Sequence, residues 1–207
     1  MSQQNPKNNI KIILIGESGV GKTNLINVAM DKGFEFNTIS SNLSSFLEGN
    51  ILYNNKDYIY TLWDTAGQEM YRSLNKIFMK GAKIVIIVYS IETRKSFEEL
   101  NYWIDNVKET LGDDNYVMAI VANKADLFED QVVSDKEGKD LANKYKIKFC
   151  LTSAKDQPDG FKKFLTDLIK EYINLVEPVS EPILNDENNN NIQLSQKKPE
   201  VKKRKCC

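Results

Sequence analysis

Two apolar periodicities alternate between residues 10 and 176. One is short and rich in β-branched and aromatic residues: IKIILI (10–15), YIYTLW (58–63), KIVIIVY (83–89), YVMAIVA (116–122) and IKFCL (147–151) each predict a strand. A weaker run, FLEGNILY (46–53), leads through NNKD into YIYTLW as a hairpin would. The other periodicity is helical. Phe97, Leu100, Ile104, Val107 and Leu111 share one face, as do Phe161, Phe164, Leu165, Leu168, Ile169, Tyr172 and Ile173. Ser134 followed by Glu137 has capping-box spacing ahead of Leu141, Ala142 and Tyr145. Strands apolar on both faces, alternating with one-sided helices, predict an α/β fold: a mostly parallel sheet flanked by helices on both faces.

Beyond Val176 the pattern stops. Pro178, Pro182, the Asn-rich stretch 185–191 and a basic end hold too few apolar residues to offset the entropy of ordering, so 177–207 is expected to be a flexible tail. Residues 1–9 are expected to be disordered for the same reason, which leaves one domain over 10–176. A length of 207 residues with 41% apolar and 28% charged positions fits one globular domain and leaves little room for a second. The longest aliphatic run, Ile84 to Val88, falls far short of the ~20 residues of a bilayer span. The start, MSQQNPKNN, carries no secretory apolar region, so a cytosolic protein is expected.

The chain contains no histidine, which removes Ser-His-Asp and Cys-His nucleophiles and imidazole-bound zinc together. Chemistry is left to carboxylates, amides, lysine or a bound metal. Cys150 sits in an apolar run and reads as a small core residue, and Cys206-Cys207 matches neither a disulfide framework nor a zinc site. The net charge of −1 conceals an asymmetry: six basic residues against Glu200 within 197–207, on a body that is net acidic. An acidic body argues against a nucleic-acid-binding face.

The first predicted strand runs directly into Gly16-Glu17-Ser18-Gly19-Val20-Gly21-Lys22-Thr23, a full P-loop pattern, and Leu25, Ile26 and Ala29 then open a helix. Glycines at these positions let backbone N–H groups and a helix N-terminus face phosphate oxygens. Lys22 would neutralise β- and γ-phosphate charge, and the Thr23 hydroxyl would ligate Mg²⁺. YIYTLW ends in Asp64-Thr65-Ala66-Gly67-Gln68-Glu69, where a carboxylate can hold Mg²⁺ through water and a glycine N–H can meet the γ-phosphate. YVMAIVA ends in Asn123-Lys124-Ala125-Asp126, whose carboxylate can accept from guanine N1–H and the exocyclic amine, a donor pair adenine lacks. Thr152-Ser153-Ala154-Lys155 follows the next strand, with backbone able to meet guanine O6 and Lys155 supporting the loop. All four loops lie at the C-terminal ends of β runs, where open α/β sheets bind ligands.

GESGVGKT, WDTAGQE, NKAD and TSAK, in this order, resemble the small Ras-type GTPases over residues 10–176. The resemblance implies a P-loop GTPase fold with six strands, five parallel and one antiparallel, binding GTP or GDP with Mg²⁺. It places Gln68 where the family orients the attacking water, and Phe34 where an aromatic packs against guanine. MYRSL (70–74), KGA (80–82), IVYS (87–90) and the Cys206-Cys207 pair are similar to Rab proteins, which carry geranylgeranyl on both cysteines. Two lipid chains anchor stably where one does not, and Lys202 to Lys205 would add attraction to anionic lipid.

The Rab resemblance further implies a monomer on the cytoplasmic face of an intracellular membrane, cycling with the cytosol and acting in vesicle traffic. Its expected partners are an exchange factor, a GTPase-activating protein, a prenylation escort, a GDP-dissociation inhibitor and effectors. No arginine in the motif loops stands as a cis arginine finger, so hydrolysis unaided is expected to be slow. Where the family has a threonine that ligates Mg²⁺ and then Ile-Gly-Val-Asp-Phe, this chain has Ser41-Asn42-Leu43-Ser44-Ser45-Phe46; Ser41 keeps the hydroxyl, and a shifted register would use Thr38-Ile39. A weaker contrast between the GDP and GTP forms is expected from that change. The competing readings are a guanine-nucleotide binder with weak or no hydrolysis, a Ras-type signalling GTPase outside vesicle traffic, and an ATP-dependent P-loop kinase, the last disfavoured by Asp126.

Overall fold

A computed structural model describes residues 9–35, 45–64 and 72–178. The chain runs β1 (Asn9–Ile15), α1 (Lys22–Ala29), β2 (Ser45–Tyr53), β3 (Lys56–Asp64), α2 (Arg72–Met79), β4 (Ile84–Ser90), α3 (Arg94–Glu98), α4 (Leu100–Leu111), β5 (Val117–Asn123), α5 (Asp135–Tyr145), β6 (Lys148–Leu151) and α6 (Pro158–Val176), with a 3-10 helix over Ala125–Asp130. The strands form one sheet in the order β2-β3-β1-β4-β5-β6. Only the β2–β3 hairpin is antiparallel. Five parallel strands and one antiparallel strand are the arrangement that the family resemblance implied.

Alternation along the buried strands sends successive side chains to opposite faces. Ile12, Leu14, Ile84, Ile86, Val88, Ala119 and Val121 pack with Leu25 and Ile26 of α1 and Phe161, Leu165 and Leu168 of α6. Ile13, Ile15, Val85, Ile87, Tyr89, Met118 and Ile120 pack with Met79 of α2, Trp103, Ile104 and Val107 of α4, and Ala142 of α5. Helix α1 packs on one face of the sheet and α2 on the other, and the C-terminal ends of the adjacent strands β1 and β3 lie where open α/β sheets of this kind hold ligands.

Several differences from the sequence reading have local causes. Strand β1 begins at Asn9, pairing with Ile59, one residue before the expected start. The turn after β2 is made by Asn54 and Asn55, both at positive φ (49° and 59°), a hairpin turn that asparagine tolerates. The helical stripe from Phe97 to Leu111 is carried by two helices that meet at Glu99, with Phe97 turned edge-on to the Tyr89 ring at 5.2 Å. Helix α2 was not anticipated. Cys150 is half-buried rather than enclosed, and burial pushes its thiol up to about 11.

The capping box forms as expected: Ser134 Oγ accepts from the Glu137 N–H at 3.3 Å and the Glu137 carboxylate accepts from the Ser134 N–H at 2.9 Å. Arg94 donates to the same carboxylate at 2.6 Å. Hydrogen bonds from Arg94, then from Ser134, hold the Glu137 carboxyl down at about 2. A carboxyl depressed on folding stabilises above its ordinary value near 4.5 and loses that contribution as pH falls toward 2. Thermal melts of the wild type and Glu137→Gln are therefore expected to differ at pH 6 and to converge between pH 4.5 and 2. A gap that stays constant across that range contradicts this expectation.

Candidate functional site

The phosphate end is built by the turn between β1 and α1. Gly16 has φ +139°, and a Cβ there would lie 2.1 Å from the Val88 carbonyl oxygen of β4. Gly21 has φ +93°, and a Cβ there would lie 2.4 Å from Asn123 Nδ2. Glycine is required at both positions for the loop to lie this close to the sheet edge. Lys22, 6% exposed, folds back over the loop and donates to the carbonyls of Gly16 at 2.9 Å and Glu17 at 2.8 Å. Burial lowers this ammonium to about 8, against the opposing pull of Asp64 and Glu17. With two of its three donors holding the loop closed, Lys22 is fixed where phosphate charge would be met.

Parallel register sets Asp64, the last residue of β3, beside Leu14 of β1. That brings the buried Asp64 carboxylate to the start of α1, where Thr23 Oγ1 donates to Asp64 Oδ2 at 2.7 Å. Two hard oxygens held together suit Mg²⁺, which keeps several waters and takes few protein ligands. Among the described residues there is no cluster of three or more Asp, Glu, His or Cys that would cage a metal by itself. The donor set thus fits a cation shared with phosphate oxygens.

Asn123 ties the two ends of the crevice together. Almost fully buried, its amide donates to the Val20 carbonyl of the P-loop at 2.8 Å and accepts from the Ala154 N–H at 3.2 Å. Lys124 turns the chain in the left-handed conformation (φ 65°) and Asp126 follows in the 3-10 helix. Ser153 Oγ donates to Asp126 Oδ1 at 2.5 Å and also accepts from the N–H groups of Lys155 and Asp156. Lys155 Nζ stands 4.0 Å from Asp126 Oδ2. The NKAD and TSAK segments therefore make one polar unit, with the Asp126 carboxylate oriented by the serine.

Gly16 to Thr23, Asp64, Asn123, Lys124, Asp126, Ser153, Ala154 and Lys155 thus gather along one edge of the sheet. Phe34 is half-buried and packs against the core on the α1–α6 face. Ser41, the alternative Thr38-Ile39, Gly67, Gln68 and Cys206-Cys207 lie outside the described residues. Sequence reasoning missed Asn24, buried in α1, whose amide donates to the Glu35 carbonyl and accepts from the Glu35 N–H, both at 3.0 Å. This reciprocal pair pins the segment that carries Phe34. No spacing rule distinguishes such an asparagine from a surface one.

A model of the Ras family matches residues 11–174. The chain belongs to the Ras family of small GTPases. Several of its relatives are named as Rab proteins. It is 40% identical over 146 residues to the Ras-related protein Rab-11B of Dictyostelium discoideum, covering 70% of this chain and 66% of that protein. It is 34% identical over 168 residues to Rab-18 of Caenorhabditis elegans, covering 81% and 82% respectively. With Rab-10 of Diplobatis ommata, 33% identity extends over 197 residues, 95% of this chain and 94% of the relative. This is a Rab-type GTPase that converts GTP to GDP and regulates vesicle traffic; the readings without hydrolysis or outside traffic are not favoured.

Proposed function

We propose that this Rab-type GTPase grips guanine nucleotide at both ends of one crevice, with Lys22 and the P-loop on the phosphates and Asp126 on the base. The observation that carries this reading is Asn123, hydrogen-bonded at once to Val20 of the P-loop and Ala154 of the guanine side, so that both ends are set by one buried side chain. Asp126, as an acceptor, selects guanine over adenine. Phe34 flanks the base and the Ala154 backbone meets its O6.

Thr23, Asp64 and Ser41 are the residues that would hold Mg²⁺, which would supply positive charge against the phosphates. Gly67 donates its N–H to the γ-phosphate and Gln68 orients the attacking water. Turnover alone is slow, and an activating protein supplies the transition-state charge that the motif loops lack. An exchange factor speeds release.

Among the described residues no helix is long and apolar enough to cross a membrane. Membrane attachment is assigned to geranylgeranyl groups on Cys206 and Cys207, supported by Lys202 to Lys205 and delivered and retrieved by an escort and a GDP-dissociation inhibitor.

Single-turnover hydrolysis tests the chemistry. The wild-type chain is expected to hydrolyse GTP slowly and ATP not at all, and Gln68→Leu to bind GTP normally while hydrolysing it ~10-fold more slowly or worse, the loss of one orienting hydrogen bond of about 1–1.5 kcal/mol. Equal rates for the two proteins remove Gln68 from the mechanism.

A further inference from the structure

The loop between β4 and α3, which no motif covers, braces the guanine-reading segment. Its backbone is stitched to both ends of residues 123–133: the Ile91 N–H donates to the Asn123 carbonyl at 3.2 Å, and the Ile91 carbonyl accepts from the N–H groups of Val132 at 2.9 Å and Val133 at 3.1 Å. Arg94, at the start of α3, donates to the Val132 carbonyl and to Glu137. From the middle of this loop Glu92 reaches Lys124. Lys124 Nζ donates to Glu92 Oε1 at 2.5 Å, and Ser90 Oγ approaches the same oxygen at 3.4 Å. Both charged side chains are about two-thirds covered, at 28% and 30% exposure.

We infer that Glu92 is a positioning residue that sets the dwell time of bound guanine nucleotide by holding the Lys124 side chain in place beside the base. The inference rests on the nucleotide reading above, since it needs Lys124 and Asp126 to face the same ligand. A lysine stem is long and rich in rotamers, and ordering it when a ligand arrives weakens binding. Anchored by Glu92, the stem is ordered beforehand and presents its methylenes as a fixed wall two residues from Asp126. A pair this far covered is screened less than an exposed one, so its loss is felt. Without Glu92 the ammonium is left partly covered and without that counter-charge, the stem is released, and the ordering cost moves to the bound state. Asp126 is held separately, by Ser153, so base recognition itself is unaffected.

Release of fluorescent GDP from the full chain tests this. Glu92→Gln, which keeps the size and removes the charge, is expected to speed release roughly 5- to 10-fold, toward the lower end of what coupled contacts contribute. In a Lys124→Gln background the same change is expected to add nothing further, because the two residues act as one unit. The preference for GDP over inosine diphosphate, which lacks the exocyclic amine, is expected to stay unchanged in Glu92→Gln. Release at the wild-type rate, or effects of the two substitutions that multiply, overturns the inference. So does a collapse of the GDP preference, which would put the effect on Asp126. If the wild-type chain fails to hold GDP at all, the nucleotide reading falls and this inference with it; GDP held normally with Glu92→Gln silent removes this inference alone.

Discussion

Asp126→Asn is expected to weaken GDP binding ~10²-fold or more, because each hydrogen bond to a charged acceptor contributes about 1.5–3 kcal/mol and the carboxylate is proposed to accept two. The amide turns one acceptor into a donor facing the guanine amine. The same change is expected to improve binding of xanthosine diphosphate, which has a carbonyl where guanine has that amine. The substituted amide oxygen can still accept from Ser153, as Asp126 Oδ1 does at 2.5 Å, so the loop is expected to keep its shape. Calorimetric titration with both nucleotides checks this. Loss of affinity for both, with an unchanged ratio, would place base recognition elsewhere.

Gly16→Ala is expected to be the most damaging small substitution in the P-loop. Its φ of +139° disfavours any L side chain, and the new Cβ would meet a backbone oxygen of β4 at 2.1 Å, in a strand whose seven residues are all buried. Backbone strain and overpacking together destabilise by ~3 kcal/mol or more, a fall of roughly 10 °C in midpoint for a domain of this size. Gly19→Ala is the control. It has φ +77° with nothing within 4 Å of the added Cβ, so only the left-handed conformation is penalised, by about 1 kcal/mol. Thermal melts of the two variants without nucleotide are expected to separate accordingly, and equal midpoints would show that the loop moves away from β4 at little cost.

Both predictions use residues that could be named from the chain but not explained from it. Gly16 is legible as a P-loop position, yet the reason alanine fails there is the carbonyl of Val88, far along the chain in β4. Asp126 is legible as an acceptor, yet its orientation depends on Ser153. Helix α2 is not legible in the sequence because Arg72–Met79 is short and follows the motif segment 64–69 without a capping residue type ahead of it. The Phe97 to Leu111 stripe concealed a junction at Glu99, since a brief departure from regular helix leaves the spacing of buried residues almost intact.

The chain order alone determines that strands alternate with helices, that four loops end those strands, and that the loops carry a P-loop, a carboxylate and a guanine-type acceptor. These are local properties: period, glycine placement and residue type within about eight positions. Tertiary structure decides which of them meet. Parallel register brings Asp64 to Thr23, the strand order brings Asn123 under the P-loop, and the β4–α3 loop brings Glu92 to Lys124. Contacts between residues 32 to 103 positions apart depend on how the sheet is wound. Hydrophobic burial drives that winding without specifying, in the local pattern, which polar side chains will end up within hydrogen-bonding reach of each other.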